Sequence, residues 1–383
     1  MDKKSITNDI AYIGVNDHDI DLFEGQFSVP NGMSYNSYAI MDYKVAIVDA
    51  VDNRFADQWL NNIRLELKGR RPDYLIISHM EPDHSGSIMD FVRAYPAILL
   101  VGNDKTFEML DNMFPNNHAN SRIIVKDGDT LDLGEHILKF IYAPMVHWPE
   151  VMFTYDQKEG VLFTADAFGK FGALDIDEDW DKEARRYYYG IVGKFGKPVL
   201  LALNKISNLD IKAICPLHGP VLLTSLDYYI SRYQKWANYE ADQDGVLIVV
   251  CSAYGSTMKV CNKLRELMEE DYKSVKVIDL LRCDMSDAVA KAFKYKKLVL
   301  ASITYNGDMF PPMKKFIDAL CDRNYQNRSV GFIQNGSWAP NSARAMQDKL
   351  KDLKEIKILP TVTVKSSVYN DKELRTLAEA LKD

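Results

Sequence analysis

The chain has no C-x-x-C pair. Its five cysteines (Cys215, Cys251, Cys261, Cys283 and Cys321) stand singly. That spacing excludes a zinc-ribbon or rubredoxin-like appendix and points to reduced thiols in a cytoplasmic protein. Long apolar runs are also missing. The longest, Val246 to Cys251, falls far short of the ~20 residues needed to span a membrane. Met1-Asp2-Lys3-Lys4-Ser5 leads into no apolar stretch of the kind a signal peptide carries. Positive charge is in deficit, with a net charge of −7, which argues against binding to nucleic acid. The nearest basic run, Lys291 to Lys297, is broken by Ala292, Phe293 and Tyr295 and reads as the end of an amphipathic helix with a solvated face. Internal repeats and low-complexity tracts are absent. So are G-x-G-x-x-G and a Walker lysine, which leaves dinucleotide and nucleoside triphosphate binding without support.

The remainder is ordinary globular material. The chain has 383 residues, 47% hydrophobic and 26% charged, enough for about two domains with sizeable cores. A polar segment closed by glycine, Tyr239 to Gly245, marks the expected boundary, giving domains 1–243 and 246–383. In the first, short strands (Asn36 to Ile40, Val45 to Val48, Leu138 to Ala143) mix with helices such as Arg54 to Leu67, which suggests two sheets with helices outside. The second alternates strictly. Strands are expected at Val246 to Val250, Val275 to Ile278, Leu298 to Ala301 and Ser329 to Ile333. Helices are expected at Met258 to Glu270, Ser286 to Phe293, Met313 to Leu320, Ala343 to Leu353 and Asp371 to Leu381. This rhythm is that of a doubly wound parallel sheet, whose ligands sit at the carboxyl ends of strands.

Chemistry concentrates in seven residues of the first part. His79, Glu81, Asp83 and His84 fall within six positions, directly after the apolar run Tyr74 to Ile77. His147, Asp166 and His218 each follow a separate strand-like run. Four imidazoles and three carboxylates, with no thiolate, suit two first-row metal ions, iron above all. Two ferrous ions carry +4 and the three acids −3, so one bridging hydroxide makes the cluster neutral, as a site of low dielectric requires. The other histidines, His18, His118 and His136, read as surface residues.

Three loops after strands of the second part look suited to a flavin mononucleotide. Ser252, Ala253, Tyr254, Gly255, Ser256 and Thr257 can surround a phosphate with hydroxyls and backbone N–H groups at a helix N-terminus. Ser302 to Asp308, through Thr304, Tyr305, Asn306 and Gly307, can lay polar backbone and an aromatic face against a planar ring. Asn335 to Pro340, through Ser337, Trp338 and Ala339, can flank that ring from the other side.

The pattern His79-x-Glu81-x-Asp83-His84, with His147, Asp166, His218 and a flavodoxin-like half behind it, closely resembles the flavodiiron proteins, or A-type flavoproteins. The similarity extends over essentially the whole chain, including Leu22-Phe23-Glu24-Gly25, Ser34-Tyr35-Asn36-Ser37-Tyr38, His147-Trp148-Pro149 and His218-Gly219-Pro220. The resemblance implies an α/β chain: an N-terminal metallo-β-lactamase-like αββα sandwich plus a C-terminal flavodoxin-like doubly wound parallel sheet. It implies that His79, Glu81 and His147 hold one iron, that Asp83, His84 and His218 hold the other, and that Asp166 bridges them. Zinc hydrolases of the same fold carry histidine where this chain has Glu81. Family members reduce dioxygen to water, nitric oxide to nitrous oxide, or both, with electrons from FMN. They form head-to-tail homodimers or dimers of dimers and draw on a separate donor such as rubredoxin or a flavin reductase.

Departures fall in the flavin loops, at Cys251, Ala253 and Ala339-Pro340. A tyrosine among Tyr187, Tyr188 and Tyr189 can reach the gas pocket as a hydrogen-bond donor or can simply pack, and Trp148 and Trp338 carry the same two readings. Two other functions stay open at this point: a zinc-dependent hydrolase fused to a flavodoxin-like module, and an FMN electron carrier or redox sensor.

Overall fold

The computed structural model describes residues 5–115, 121–269 and 274–382. The chain forms two compact units, Met1–Gln234 and Lys235–Asp383.

The first unit is built on two sheets. One has six strands in the spatial order Ile10–Tyr12, Tyr38–Ile40, Ala46–Val48, Tyr74–Ile76, Leu99–Gly102, Arg122–Ile124. The other has five, from Thr130–Asp132 through Ile137–Tyr142, Met152–Asp156 and Val161–Phe163 to Ala213–Cys215. Strand periodicity divides the side chains between layers. Ala46, Val48 and Ile76 join Phe140, Met152 and Phe163 of the other sheet in one core. The intervening Ile47 and Leu75 point the other way, into a core with Trp59, Ile63 and Leu67 of the helix Ala56–Leu67. This is the expected sandwich, with helices outside paired sheets.

The second unit has the expected doubly wound sheet. Its five long strands run in the order Val275–Asp279, Gln243–Cys251, Tyr295–Tyr305, Arg328–Asn335, Ile356–Lys365, all parallel, and the short Val368–Tyr369 adds an antiparallel edge to the last. Numbered along the unit this is 2-1-3-4-5, the flavodoxin-like order. One face packs against the helices Ser256–Met268 and Asp371–Ala380.

Sequence and structure differ at several points. The strand Ile356–Lys365 is not among the expected elements, because Lys357, Pro360 and Lys365 interrupt its apolar pattern. Its register against Arg328–Asn335 shifts between Val330 and Phe332, so Pro360 sits at an irregularity, where proline is tolerated in a sheet. The segment Ser302 to Asp308 is a hairpin extension rather than a loop. Tyr295–Tyr305 pairs with Asp308–Met309 across Asn306 and Gly307, both at positive φ (55° and 76°), the two-residue turn that Asn-Gly favours. In the run Lys291 to Lys297 only the first part is helical. Lys297 lies on a strand, 3% exposed, with its ammonium 3.7 Å from Asp244. The helix expected to end at Glu270 closes at Met268, and Glu270 and His118 lie outside the described residues.

Arg328 ties the lower edge of the second unit together. It is 3% exposed, and its guanidinium donates to the carbonyls of Tyr239, Phe293, Tyr295, Gln326 and Asn327. Buried acceptors stripped of their donors cost about 1–3 kcal/mol each. Arg328→Met is therefore expected to lower the unfolding free energy of this unit by about 3 kcal/mol or more, measured by urea denaturation of the holoprotein. A change below about 1 kcal/mol would show that the carbonyls find other partners.

Candidate metal centre

Four strand ends of the first unit build the centre. Tyr74–Ile76 leads to His79, and a short helix, Pro82–Ser85, begins with proline at its first turn, uses Glu81 as its N-terminal flank, and carries Asp83 and His84. His147 follows Ile137–Tyr142, Asp166 follows Val161–Phe163, and His218 follows Ala213–Cys215. The connecting backbone is strained where it delivers them: Met145, Ala165 and Phe168 hold positive φ of 63°, 47° and 68°, a cost of order 1–3 kcal/mol each. Gly219 holds φ of +77°, and a Cβ there would lie 2.7 Å from Cγ of Lys170, so the chain turns tightly just after His218.

All seven side chains converge, in two groups. Ligand atoms of His79, Glu81, His147 and Asp166 lie within 4.8 Å of one another, as do those of Asp83, His84 and His218. Asp166 faces both groups with different oxygens. Its Oδ2 is 3.1 Å from His147 Nε2 and 3.4 Å from His79 Nε2, while its Oδ1 is 3.2 Å from His84 Nε2 and 3.7 Å from His218 Nε2. Glu81 Oε2 stands 3.0 Å from His147 Nε2 and 3.3 Å from His79 Nε2, and Asp83 Oδ2 stands 3.2 Å from His218 Nε2.

The donor set fits cations. His218 Nδ1–H donates to the carbonyl of Ser34 at 2.7 Å, so the neutral ring turns a bare Nε2 lone pair inward. That Nε2 is 2.9 Å from His84 Nε2, about the spacing of two nitrogens each ~2.1 Å from one ion at roughly a right angle. Both oxygens of Asp83 and Oδ1 of Asp166 are buried without a hydrogen-bond partner. Charges so placed are expensive unless cations compensate them.

Glu150 is a functional residue that the sequence does not announce. Fully buried, its Oε1 is 2.8 Å from His79 Nδ1 and accepts the Met80 N–H at 2.8 Å. It therefore orients the ring and directs Nε2 inward. Asp49 Oδ1 accepts the N–H groups of Ser78 and His79 at 2.7 and 3.3 Å. Trp148 packs edge-on against His79 with centroids 5.2 Å apart.

Without metal, the imidazoles compete for protons. Burial opposes a charged His147 ring, yet hydrogen bonds to Asp166 and Glu81 outweigh it and raise its pKa to about 9. His79 is held well above the ordinary range in the same way: burial disfavours its charge, and Asp166, Glu150 and Glu81 restore it. For Asp166, burial works to raise the pKa, but His79, His84 and His147 hold the carboxyl well below the usual carboxylate range.

His136 is not a surface residue. It is fully buried, with Nδ1 3.0 Å from Asp156 Oδ1 and Nε2 3.4 Å from Asp9 Oδ2. Ligand atoms of Asp9, His136 and Glu159 also lie close together, but the Lys158 ammonium already sits 2.8 Å from Asp9 and 3.3 Å from the ring. His18 is exposed and pairs with Asp175 at 3.1 Å.

In the second unit a cleft of about 670 Å3 opens at the carboxyl ends of the strands, a size suited to a small-molecule ligand. Tyr254, Ser256, Thr304, Tyr305, Asn306, Gly307, Ser337, Trp338 and Ala339 line it. Ser252, Ala253, Gly255 and Thr257 are not on its walls. The Ser252 hydroxyl accepts the Gly255 N–H at 3.1 Å, and buried Thr257 accepts from Asn335 at 3.1 Å. The Thr304 hydroxyl caps the next helix, accepting the N–H groups of Asn341 and Ser342. The structure adds Ile303, Asn335, Gly336, Ser366 and Ser367. The last two follow the unexpected strand Ile356–Lys365, so recognising that strand is what would have found them. Tyr254 and Trp338 are 98% and 90% exposed, an uncommon outlay of aromatic surface at one cleft.

Sheet sandwich, paired His/carboxylate groups and flavodoxin-like cleft together define a two-module protein, one module of metallo-β-lactamase type and one of flavodoxin type. Residues 33–219 match the ODP family beta lactamase and residues 247–364 the flavodoxin domain. The chain is 30% identical to a nitric oxide reductase of Moorella thermoacetica, over 91% of this chain and 90% of that protein. It is 28% identical to a putative diflavin flavoprotein of Nostoc, over 94% of this chain, and spans only 63% of that protein's length. Two solved structures share the fold at 23% identity: rubredoxin oxygen:oxidoreductase from Desulfovibrio gigas (TM-score 0.90, covering 99% of this chain and 98% of that one) and the flavodiiron protein from Giardia intestinalis (TM-score 0.89, covering 100% and 96%). The chain belongs to the flavodiiron protein family.

Two outcomes follow for metal binding. Glu150→Gln keeps every side chain that faces the centre but weakens the acceptor for His79, and should lower ferrous-ion affinity about 10–100-fold in anaerobic competition with a chelator. Parent-like affinity would show that Glu150 does not orient His79. Because His79 and His147 must shed protons to ligate, binding should tighten from pH 6 to pH 8 and release protons into weakly buffered solution. Affinity flat across that range would contradict the assignment of these rings as ligands.

Proposed function

We propose that this protein is an oxidoreductase that reduces dioxygen to water, nitric oxide to nitrous oxide, or both. The observation that carries the reading is the placement of Asp166, one oxygen toward each of two His/carboxylate groups. His79, Glu81 and His147 are proposed to hold one iron, Asp83, His84 and His218 the other, and Asp166 to bridge. When bound, the two irons and FMN supply the electrons, since four electrons per dioxygen exceed what two ferrous ions provide.

The chain's own residues do the rest. Glu150 and the Ser34 carbonyl fix ring tautomers, and Asp49 fixes the backbone of His79. Tyr187 is buried, its hydroxyl without a hydrogen-bond partner and its ring 5.5 Å from His218. Burial and the negative charges of Asp166, Glu81 and Asp83 push its pKa well up, so it keeps its proton and is free to donate a hydrogen bond into the gas pocket. In the second unit the cleft supports FMN binding, with the Ser252 to Thr257 loop at the phosphate and Tyr254, Tyr305 and Trp338 at the ring. Asn335 joins that loop to the fourth strand through Ser256 and Thr257, each at 3.1 Å.

The functional division is proposed at 1–243 and 246–383. Electrons are proposed to come from a separate donor such as rubredoxin or a flavin reductase, in a cytoplasmic head-to-tail homodimer or dimer of dimers. Among the described residues no helix is long and apolar enough to cross a membrane. The hydrolase reading loses ground at Glu81, a carboxylate where zinc enzymes of this fold place histidine. The pure electron-carrier reading leaves the seven converging side chains unexplained.

The test is anaerobic reduction of iron- and FMN-loaded protein, followed by separate mixing with dioxygen and nitric oxide. Consumption of at least one gas is expected, and Asp166→Ala should abolish it while retaining FMN. Fully loaded parent protein that consumes neither gas sinks the assignment, and so does zinc found in place of iron after iron-replete expression.

A further inference from the structure

Lysine is almost never buried unless it is paired, and Lys170 is 4% exposed. It stands four residues after Asp166, in a turn where the Gly169 N–H donates to the Asp166 carbonyl at 3.1 Å. Its stem lies against the loop that carries His218. A Cβ on Gly219 would meet Cγ of Lys170 at 2.7 Å and its backbone nitrogen at 3.2 Å, and a Cβ on Gly169 would meet Cβ of His218 at 3.4 Å. The Leu217 N–H donates to the Ala165 carbonyl at 2.8 Å. The two loops that deliver Asp166 and His218 therefore touch on both sides of those residues.

The head of the lysine is held from a third segment. Its ammonium donates to the Phe171 carbonyl at 2.9 Å and to Glu178 Oε2 at 3.0 Å, and the Glu178 side chain is itself only 13% exposed. Glu178 Oε1 accepts from Asn31 Nδ2, and the Asn31 carbonyl accepts the Ala173 N–H at 2.9 Å. Any side chain on Gly172 would take the place of the pair, since a Cβ there would lie 2.1 Å from Glu178 Oε2 and 3.0 Å from Lys170 Nζ. Glu178 also stands two residues before the helix Trp180–Tyr187, whose last ring packs on His218 with centroids 5.5 Å apart. One buried ion pair thus gathers three segments around His218.

We propose that Lys170 is a positioning residue: paired with Glu178, it sets the spacing between Asp166 and His218 and so completes the pair of metal sites, a role that rests on the function proposed above. A pair buried this deeply is a poor source of stability, because desolvating both charges offsets their attraction. What such a pair does well is select one arrangement of the chain over its competitors. Here the arrangement selected is the approach of one loop to another. An apolar side chain of the same length would fill the space over Gly219, but nothing would draw it toward Glu178 and fix the loop in register.

The test is anaerobic calorimetric titration of FMN-loaded, iron-free protein with ferrous iron, together with thermal unfolding of the same samples. The parent should take up two ions per chain. Lys170→Met keeps the volume of the stem and removes the ammonium. Its affinity for at least one ion should fall about tenfold or more, and its melting temperature should drop because Glu178 is left unpaired. In the double variant Lys170→Met/Glu178→Gln no charge is stranded, so the melting temperature should return toward the parent's while the ferrous affinity stays low. That split between stability and metal affinity is what a merely structural pair would not give. Both ions bound within about threefold of the parent, or an affinity restored in step with the melting temperature, overturns the proposal and leaves the gas-reductase reading intact. Should Lys170→Met fail to fold, the double variant decides alone on the same two outcomes. A parent that binds fewer than two ferrous ions overturns the underlying two-iron reading instead, whatever the variants do.

Discussion

A single buried carboxylate faces two clusters of imidazole at once. Asp166 is fully buried, and its two oxygens point into different groups. Most of the first unit can be understood as what this placement requires. The seven converging side chains come from four separate strand ends, so both sheets must be in register before the groups meet. Strained backbone at Met145, Ala165 and Phe168 persists because the surrounding sandwich fixes it. The carboxylates of Asp83 and Asp166, with three buried oxygens that have no hydrogen-bond partner and face only imidazole nitrogens, suit cations. The proposed pair of irons answers that electrostatic demand, and the protonated imidazoles of the metal-free state answer it only in part.

Orientation matters as much as identity. Four histidines in a pocket can present either ring nitrogen, and a wrong tautomer offers a proton where a lone pair is needed. The Ser34 carbonyl and the Glu150 carboxylate settle that choice for His218 and His79. Both come from segments remote in sequence from the rings they hold, so the site is a product of the fold rather than of any local motif.

Much of this was legible in the sequence, and the exceptions have physical reasons. The seven converging residues could be read because each follows an apolar strand, and strand ends at one edge of a sandwich gather naturally. Glu150 could not. It is one of 54 acidic residues, and only the fold brings it to His79. His136 looks like a turn residue after Gly134-Glu135, and it is met in the fold by Asp9, just before the first strand, and by Asp156, at the end of the strand paired with Ile137–Tyr142. The strand Ile356–Lys365 hid behind Lys357 and Pro360, and with it went Ser366 and Ser367 of the cleft. The hairpin at Asn306-Gly307, by contrast, carries a local signal in the dipeptide itself.

The central claim is that Asp166 sits between two metal ions. Anomalous diffraction at the iron edge, from crystals grown with iron, tests it most directly. Two peaks should appear, about 3.5–4 Å apart, one beside His79, Glu81 and His147 and the other beside Asp83, His84 and His218, with Asp166 reaching both. A single peak, or none with the seven side chains splayed apart, would contradict the account.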